Sequence, residues 1–380
     1  MSSHQIAPDT EDTLAAAITD ANGPLFIRGG GSHGLGPQGE GSVLTTSGLS
    51  GIELYEPGAL TIVARAGTPV SEVNAVLESE GQHLPFEPMD PRKLLGTNGV
   101  QTIGGVAAAN VSGPRRVQAG ACRDSLIGAR FVDGSGAILK NGGRVMKNVT
   151  GYDLVKLLAG SHGTLGVLSE VSFKVLPKPQ AVAVCLIDGL SVPQAVEAMS
   201  TALTSPYEVT GAAHAVKGID GSPVTMIRVE GFESSVTYRA EKLKLLLSIF
   251  GSVTIETDPE RTKAGWAWIR DVETFAGREG DVWRVSVKPS DAPKVVQALA
   301  PAKVLLDWGG GLIWALSAPG RDIRTDLDPR MGHATLVRAD SATRMKLGTF
   351  HPEPAAIAAL SAGLRERFDP RGLLNPGLMA

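Results

Sequence analysis

The spacing of apolar residues in the first half of the chain predicts short strands and helices in alternation. One helix is predicted over 70–79, because four apolar residues fall on one side of a 3.6-residue period: Val70, Val73, Val76 and Leu77. Two further helices are predicted over 11–20 and 153–159, and a hairpin joins 126–133 to 137–140. Apolar runs bounded by glycine or polar residues predict strands over 24–28, 42–46, 60–65 and 166–176.

The second half continues the alternation with longer elements. Asp258 followed by Pro259 marks a helix start, because an Asp N-cap with Pro at the first helical position is typical there. Strands joined by hairpins and helices favour an antiparallel sheet with helices on one face. Strands are predicted over 181–187, 209–216, 223–231, 252–256, 282–287, 303–307 and 312–316. Helices are predicted over 192–204, 234–250, 292–299 and 352–368.

Two prolines, Pro177 and Pro179, separate these halves, because proline interrupts both strands and helices. We therefore expect a first domain over 1–179, a second over 180–340, and a C-terminal helix and tail over 341–380. No internal repeat is evident in the sequence.

The composition excludes several classes of function. With 380 residues, 43% of them hydrophobic and 20% charged, the chain can form two cores. A net charge of −3 without a basic run argues against nucleic-acid binding. No apolar run reaches the roughly 20 residues of a membrane span, and 1–13 lack the apolar centre of a secretory signal. We expect a cytoplasmic protein that meets the inner membrane only through partners.

The two cysteines, Cys122 and Cys185, are far apart and have no metal-ligand spacing. We expect both to be reduced. An iron–sulfur cluster needs about four thiolates, so this chain supplies none, and we expect no metal site.

A glycine-rich loop follows the predicted strand 24–28, with five glycines among residues 28–36. Successive N–H groups in such a loop can form a concave anion site suited to a pyrophosphate. The spacing matches Gly-x-Gly-x-x-Gly, but Pro37 follows where a dinucleotide-binding fold needs a helix. A glycine-rich surface turn is the alternative.

Two more glycine clusters support a ligand site. At Gly104 and Gly105 an alanine-rich helix begins, where a flat ring could lie against the backbone, and close helix packing is the alternative. The third cluster, 160–167, leads into a predicted strand and could be an ordinary turn. Three such clusters beside predicted elements favour several backbone segments around one extended ligand.

Together these segments resemble the vanillyl-alcohol-oxidase and p-cresol-methylhydroxylase (PCMH) family of FAD-binding flavoproteins. The stretch 147–154 and the C-terminal run 368–377, Phe-Asp-Pro-Arg-Gly-Leu-Leu-Asn-Pro-Gly, are similar to the same family. The resemblance implies an α+β protein. Its PCMH-type FAD-binding domain would consist of two α/β subdomains, followed by a ferredoxin-like antiparallel C-terminal domain whose tail returns to the first.

Segments 112–116 and 306–314 are similar to those of the smaller FAD-binding subunits of bacterial glycolate oxidases. In those complexes the subunit works beside a related larger FAD subunit and an iron–sulfur subunit. The complex oxidises glycolate, a small 2-hydroxy acid, to glyoxylate.

Two departures from the wider family matter. Many members attach FAD covalently through a histidine directly after the loop glycines, whereas Ser32 holds that place here and His33 follows. We therefore expect non-covalent FAD. Larger 2-hydroxy-acid dehydrogenases of the family also carry a histidine-rich motif for metal and substrate, and the matching stretch 307–311 contains no histidine. This departure argues against substrate oxidation by this chain alone.

The resemblance implies pyrophosphate contacts in the glycine loop, isoalloxazine contacts at the second cluster and adenine contacts at the third. Arg28 could instead be a surface arginine, and His33 a solvent-facing loop residue. The expected cofactor-binding residues are Arg28, Gly29, Gly30, Gly31, Ser32, His33, Gly34, Thr102, Ile103, Gly104, Gly105, Asn110, Gly166, Val167 and Asn375.

Catalytic residues are less well defined. Arg115 or Arg116 could stabilise reduced flavin or hold a substrate carboxylate, or form a solvated basic pair. Tyr152 is a third candidate, with core packing as the alternative. Four tryptophans of the second domain could cap the flavin, form a subunit interface or fill the core: Trp266, Trp268, Trp308 and Trp314.

Three functions follow from these expectations. The first is the FAD-binding subunit of a glycolate oxidase complex, with electrons leaving through an iron–sulfur partner. The second is a free-standing FAD-dependent oxidoreductase of a small carboxylic acid. The third is a scaffold subunit with a non-catalytic flavin.

Overall fold

Residues 5–33, 40–143, 151–328 and 330–379 are described by the structure, a computed structural model. Their strands form one large sheet and three small ones. The small sheets belong to the first 177 residues, and the large sheet begins at Ala181. We therefore propose that the domain boundary lies at the two prolines.

The first domain combines a parallel and an antiparallel sheet. Its parallel sheet has the order β1-β3-β2, its antiparallel sheet the order β4-β5-β9-β7-β8, and β10 pairs with β6. The strands are β1 (Gln5–Ile6), β2 (Leu25–Arg28), β3 (Ser42–Thr45), β4 (Ile52–Glu56), β5 (Thr61–Arg65), β6 (Gln82–His83), β7 (Leu126–Val132), β8 (Ile138–Gly142), β9 (Val167–Lys174) and β10 (Leu176–Pro177). The helices are α1 (Glu11–Thr19), α2 (Val70–Ser79), α3 (Arg92–Leu95), α4 (Ile103–Ala108), α5 (Arg116–Ala119), α6 (Cys122–Ser125) and α7 (Leu154–Leu158).

Helix α2 shows how the sequence pattern builds the core of the first domain. Its bounds match the prediction, and Val70, Val73 and Leu77 are buried as the period requires. These side chains share one apolar cluster with residues of β5, α4, β7 and β9. The start of α4 is thereby fixed against the five-stranded sheet.

The second domain is built on one antiparallel sheet of eight strands, in the order β14-β11-β13-β12-β16-β17-β15-β18. The strands are β11 (Ala181–Asp188), β12 (Gly211–Ala215), β13 (Val224–Gly231), β14 (Val253–Glu256), β15 (Asp281–Val287), β16 (Lys303–Asp307), β17 (Leu312–Ser317) and β18 (Gly332–Arg338). The helices of the remaining chain are α8 (Val192–Leu203), α9 (Glu233–Leu247), α10 (Pro259–Arg270), α11 (Ala292–Ala298), α12 (Ser341–Leu347) and α13 (Ala355–Phe368).

This sheet contains a structural repeat. Its first half runs β11-α8-β12-β13-α9-β14 with the ferredoxin-like strand order. The second half repeats the strand order from β15 to β18, with a short 3-10 turn, Ile323–Asp326, in place of the second helix. The halves join where β12 pairs with β16. The ferredoxin-like prediction thus describes each half, and the sequence pattern did not reveal the duplication.

The two faces of the large sheet are covered differently. Helices α8, α9 and α11 pack on one face. Helix α10 covers the other, and its Trp266 and Ile269 share an apolar cluster with Met89 and Leu94 of the first domain. Trp266 and Trp314 therefore belong to a core between the domains, while Trp308 is partly buried at its edge.

The C-terminal tail packs on the first domain. Leu25 exchanges backbone hydrogen bonds with Leu373 and Asn375, and the Arg371 guanidinium donates to the carbonyl of Ile18. By contrast, no residue of α13 is buried, and the apolar side chains of Ile357, Leu360 and Leu364 are exposed. Contact with the first domain is made by the tail and by Phe368 at the end of α13, whose ring lies 6.2 Å from that of Phe131.

Several features differ from the sequence predictions. Short elements such as strand β4, strand β18 and helix α12 were not predicted, because their residues are half polar and form no continuous apolar run. Tyr152 is 88% exposed, so core packing was wrong for this side chain. The C-terminal helix starts at Ala355 rather than 352, since Pro352 and Pro354 precede it.

Candidate functional site

A cleft opens where four segments of the chain meet. The loop after β2, the start of α4, the turn before β9 and the C-terminal tail line its walls. The cleft therefore brings together the three glycine clusters and the tail, although they are far apart in sequence. The predicted cofactor residues that line it are Arg28, Gly29, Gly30, Gly31, Ser32, His33, Thr102, Gly104, Gly105, Gly166, Val167 and Asn375.

Three predicted cofactor residues are not placed there. Ile103 is 1% exposed and belongs to the first-domain core. Asn110 adopts a positive φ of 48° after α4, and its Oδ1 accepts a hydrogen bond from the Arg123 N–H at 3.0 Å. Gly34 lies outside the described residues, as do residues 147–150 of the family-like stretch.

The glycines of the cleft are glycines for two different reasons, close packing of the chain or access of a ligand to the backbone. A Cβ at Gly30 would stand 2.0 Å from the Val100 carbonyl oxygen, and a Cβ at Gly104 would stand 2.5 Å from the Cβ of Ala66. A Cβ at Gly105 would meet only the Thr102 hydroxyl, at 3.1 Å. Gly30 and Gly104 are thus required by the packing of the chain, whereas Gly105 presents open backbone to the cleft.

Asn375 fastens the tail to the cleft wall. Its Oδ1 accepts from the Ile27 N–H and its Nδ2 donates to the His162 carbonyl, both at 2.7 Å. The residue has a positive φ of 45°, which Asn tolerates better than most residues. Since both ends of the amide are engaged, Asn375 shapes the site by joining β2 to the third glycine cluster.

Two histidines in the cleft are electrically neutral at pH 7. Burial lowers the pKa of His33 to about 4, and it lowers the pKa of His162 to about 4 as well. The His33 ring also lies 3.3 Å from the Ser32 hydroxyl. A bound phosphate would therefore meet imidazole hydrogen-bonding groups here rather than imidazolium charge.

Two of the three catalytic candidates, Arg115 and Tyr152, lie outside the cleft. Arg115 is 8% exposed and pairs with Glu230 at 3.0 Å, so its charge is neutralised inside the domain interface. Tyr152 does not line the cleft and is largely exposed. The geometry favours neither as a substrate anchor.

Arg116 differs from its neighbour. Its guanidinium carbon lies 4.4 Å from the centroid of the Trp308 ring, and that of Arg284 lies 5.2 Å from the same ring. Sequence reasoning missed Arg284. The available signal was a lone cation within the apolar strand β15.

The stretch 307–311 forms a turn beside these cations. The Asp307 carboxylate accepts from the Trp308 N–H at 2.7 Å, and burial raises the pKa of Asp307 to about 7. Trp308 has a positive φ of 54°, a strained conformation for a bulky residue. Among the described residues, no group of three or more His, Cys, Asp or Glu side chains could hold a metal ion.

Comparison with known proteins identifies the family. The profile of a family described as an FAD binding domain matches residues 3–142. Glycolate oxidase subunit GlcE of Escherichia coli (strain K12) is 36% identical over 366 residues, which cover 96% of this chain and 94% of that protein. The chain belongs to the GlcE family of glycolate oxidase subunits. This confirms the resemblance seen in the sequence and gives the first domain FAD as its cofactor.

Two further similarities extend the GlcE assignment. Glycolate oxidase subunit GlcD of Bacillus subtilis (strain 168) is 33% identical over 181 residues, 46% of this chain and 37% of that protein. The crystal structure of p-cresol methylhydroxylase with substrate bound has a TM-score of 0.72 and 13% identity, and covers 99% of this chain and 88% of that chain. The latter likeness confirms the PCMH-type fold. In the described part of the chain, no helix is long and apolar enough to cross a membrane.

Proposed function

We propose that this chain is the FAD-binding subunit of a glycolate oxidase complex that converts glycolate to glyoxylate. The observation that carries the proposal is the cleft, where three glycine clusters and the tail of a GlcE-family chain converge. Bound there, FAD supplies the acceptor for a hydride from the α-carbon of a 2-hydroxy acid.

The residues of the cleft fit such a cofactor. Among the described residues, no acceptor pairs with the backbone N–H groups of Gly29, Gly30 and Gly31. These donors would hold a pyrophosphate, as unpaired N–H groups in a loop hold anions. Gly105 would let a flat ring approach the start of α4, because no side chain stands on its Cα there.

The cofactor is held without a covalent bond in this proposal. Ser32 occupies the position directly after the loop glycines, and the neighbouring His33 ring lies 3.3 Å from its hydroxyl. Acid precipitation of the FAD-loaded protein tests this point. All flavin should appear in the supernatant, and yellow flavin retained in the pellet would contradict it.

Electrons would leave through partners. The chain has two cysteines, both buried and free, whereas an iron–sulfur cluster needs about four thiolates. We therefore propose a larger FAD subunit and an iron–sulfur subunit beside this one. Tagged chain purified from its native host should carry non-haem iron and a second flavoprotein, and iron-free tagged chain would contradict the partnership.

The FAD content of the purified chain is the decisive measurement. We expect one FAD for each chain and its loss in Gly105→Val, with Gly363→Val on the exposed helix α13 as the matched control. Equal FAD in both variants would overturn the site. Anaerobic glycolate then separates two roles, because bleaching of the flavin band indicates oxidation by this chain, and an unchanged band indicates a relay subunit.

A further inference from the structure

We infer that this chain itself binds the carboxylate of a small 2-hydroxy acid, through the guanidinium groups of Arg116 and Arg284 beside Trp308. The inference rests on the proposed function, because it gives the FAD cleft a substrate anchor. Arg116 begins α5 in the first domain, while Arg284 lies on β15 in the second. The anchor therefore exists only where the two domains meet.

The two guanidinium groups carry unneutralised charge. Other arginines of the domain interface have carboxylate partners, as in Arg115 with Glu230, or donate to carbonyl oxygens, as Arg338 does to Leu94. Within the described ranges, neither Arg116 nor Arg284 has a carboxylate within 4.0 Å or a side-chain hydrogen bond to any acceptor. Partly buried charges without partners are costly, and a bound anion would offset that cost.

Trp308 gives both cations a fixed platform. Both guanidinium groups lie over its ring, at 4.4 and 5.2 Å from the centroid. The indole Nε1 donates to the Gly113 carbonyl at 3.0 Å, and the backbone N–H donates to Asp307. The ring is thus held from both domains in a strained backbone conformation, which is a common feature of ligand sites.

The positive potential of Arg284 reaches the FAD cleft. Burial and the nearby Arg116 lower the pKa of Arg284 to about 10. Burial and Arg123 lower the pKa of Arg116, and the Asp124 charge acts in the opposite direction. After burial and His33, the charge of Arg284 also lowers the pKa of His162, which lines the cleft. The charge of Arg284 therefore acts on one residue of the cleft wall, while Arg116, Arg284 and Trp308 themselves stand outside the lining of the cleft.

The anion assigned to this arrangement is a small carboxylate. Guanidinium forks match the planar, two-oxygen geometry of a carboxylate. The Trp308 ring forms an apolar wall beside the two cations, and Phe350 packs 5.0 Å from His162. Glycolate, the substrate in the names of the relatives, has one carboxylate and a short carbon chain.

The test uses the FAD-loaded full chain and oxalate, a two-carbon carboxylate that cannot donate a hydride. Oxalate binding is measured both by the flavin difference spectrum and by calorimetry. We expect Arg284→Met and Arg116→Met to weaken binding by roughly tenfold or more, since each loses a charge-assisted hydrogen bond. Arg278→Met, at an exposed arginine distant from Trp308 in the sequence, is the matched control and should bind as the wild type.

The outcomes are separable. Unchanged oxalate affinity in both variants, or no oxalate binding by the wild-type holoprotein, would overturn the inference while retained FAD leaves the proposed function intact. Absence of FAD in the wild type would instead overturn the proposed function, and calorimetry of the chain with oxalate would still decide the anion site. Inorganic phosphate that binds more tightly than oxalate would also overturn the carboxylate assignment.

Thermal unfolding of each variant shows whether a loss of oxalate binding results from misfolding. Because Arg284 carries an unpaired charge, Arg284→Met should unfold at the wild-type temperature or above it. A lower temperature together with wild-type oxalate affinity would mean a purely structural role. If Arg284→Met fails to fold, Arg284→Lys decides, and it should keep the charge while losing affinity because it lacks the fork.

Discussion

Glu87 and Arg228 form a bidentate ion pair across the boundary between the two domains, with N–O distances of 3.0 and 2.9 Å. Arg228 is 3% exposed and its guanidinium also lies 4.5 Å from the centroid of the Trp266 ring. Glu230 contacts the same guanidinium at 3.2 Å. The pair therefore joins the domains through charges that are shielded from water.

Removing the charge of Glu87 should destabilise the protein at pH 7. Burial pushes the pKa of Glu87 upward, but Arg228 outweighs it and holds the pKa below 4.5. A carboxyl with a lowered folded-state pKa stabilises above its unfolded pKa, and this stability is lost as pH falls through the folded value. Glu87→Gln should cost about 1–3 kcal/mol in urea unfolding at pH 7.

The pH dependence provides the control for Glu87. The difference in unfolding free energy between wild type and Glu87→Gln should shrink as the pH falls from about 4 toward the lowered folded-state pKa of Glu87. The double variant Glu87→Gln/Arg228→Met should recover part of the loss, because it removes the buried Arg228 charge and Glu230 keeps Arg115 as its partner. A difference that stays constant from pH 7 to pH 3 would contradict the ion-pair account.

Asp307 should show the opposite pH dependence. Burial raises its pKa to about 7, so the folded state holds a proton that the unfolded state releases near pH 4. Stability should therefore fall as pH rises from about 4 to 7 and then level off. Asp307→Asn keeps an oxygen for the Trp308 N–H and should raise the unfolding free energy at pH 8 by roughly 2–4 kcal/mol.

The matched control for this change is Asp188→Asn, at an exposed position at the end of β11. It should leave the unfolding free energy nearly unchanged at both pH 5 and pH 8. The Asp307 account would be wrong if Asp307→Asn stabilised the protein equally at these two values.

The local sequence pattern was sufficient to predict a helix or strand whose formation depends on its own residues. Helix α2 follows from the period of its apolar residues, and α10 begins as expected because Asp258 accepts from the Arg261 N–H. Strand β18 was not predicted because it begins with Gly332 and His333 and has no continuous apolar run, and its place is set by pairing with β15. The duplicated strand order likewise depends on pairing between distant strands.

The candidate site could be predicted only in part from the sequence, because some of its residues are defined by contacts with distant parts of the chain. The three glycine clusters can be recognised from the local sequence alone, and residues of all three line the cleft. The roles of Arg115 and Arg116 depend instead on partners from the second domain, Glu230 for the first and Trp308 for the second. Adjacent residues of one type thus received opposite surroundings, which no local pattern encodes.

Gly104 and Gly105 provide a contrast between packing and ligand binding. Gly104→Ala forces a Cβ to within 2.5 Å of the Ala66 side chain and should destabilise the protein by about 1–3 kcal/mol. Gly105→Ala should leave the unfolding free energy within about 1 kcal/mol, because alanine favours a helix and only the Thr102 hydroxyl must yield. It should nevertheless weaken FAD binding, as measured by flavin fluorescence on titration. Equal FAD affinity in Gly105→Ala and wild type would contradict the assignment of this backbone to the cofactor.

Asn375 should control the cleft through the tail. Asn375→Ala removes the hydrogen bonds to Ile27 and His162 and leaves a partly buried donor and a partly buried acceptor unpaired, so the unfolding free energy should fall by about 1–3 kcal/mol. Asn375→Asp keeps an acceptor for the Ile27 N–H but loses the donor to His162. Its unfolding free energy should therefore lie between those of the wild type and Asn375→Ala. Hydrogen exchange at the Ile27 amide separates these contributions, since the amide should exchange faster in Asn375→Ala than in Asn375→Asp. Equal exchange rates in both variants would mean that Asn375 does not hold β2 to the tail.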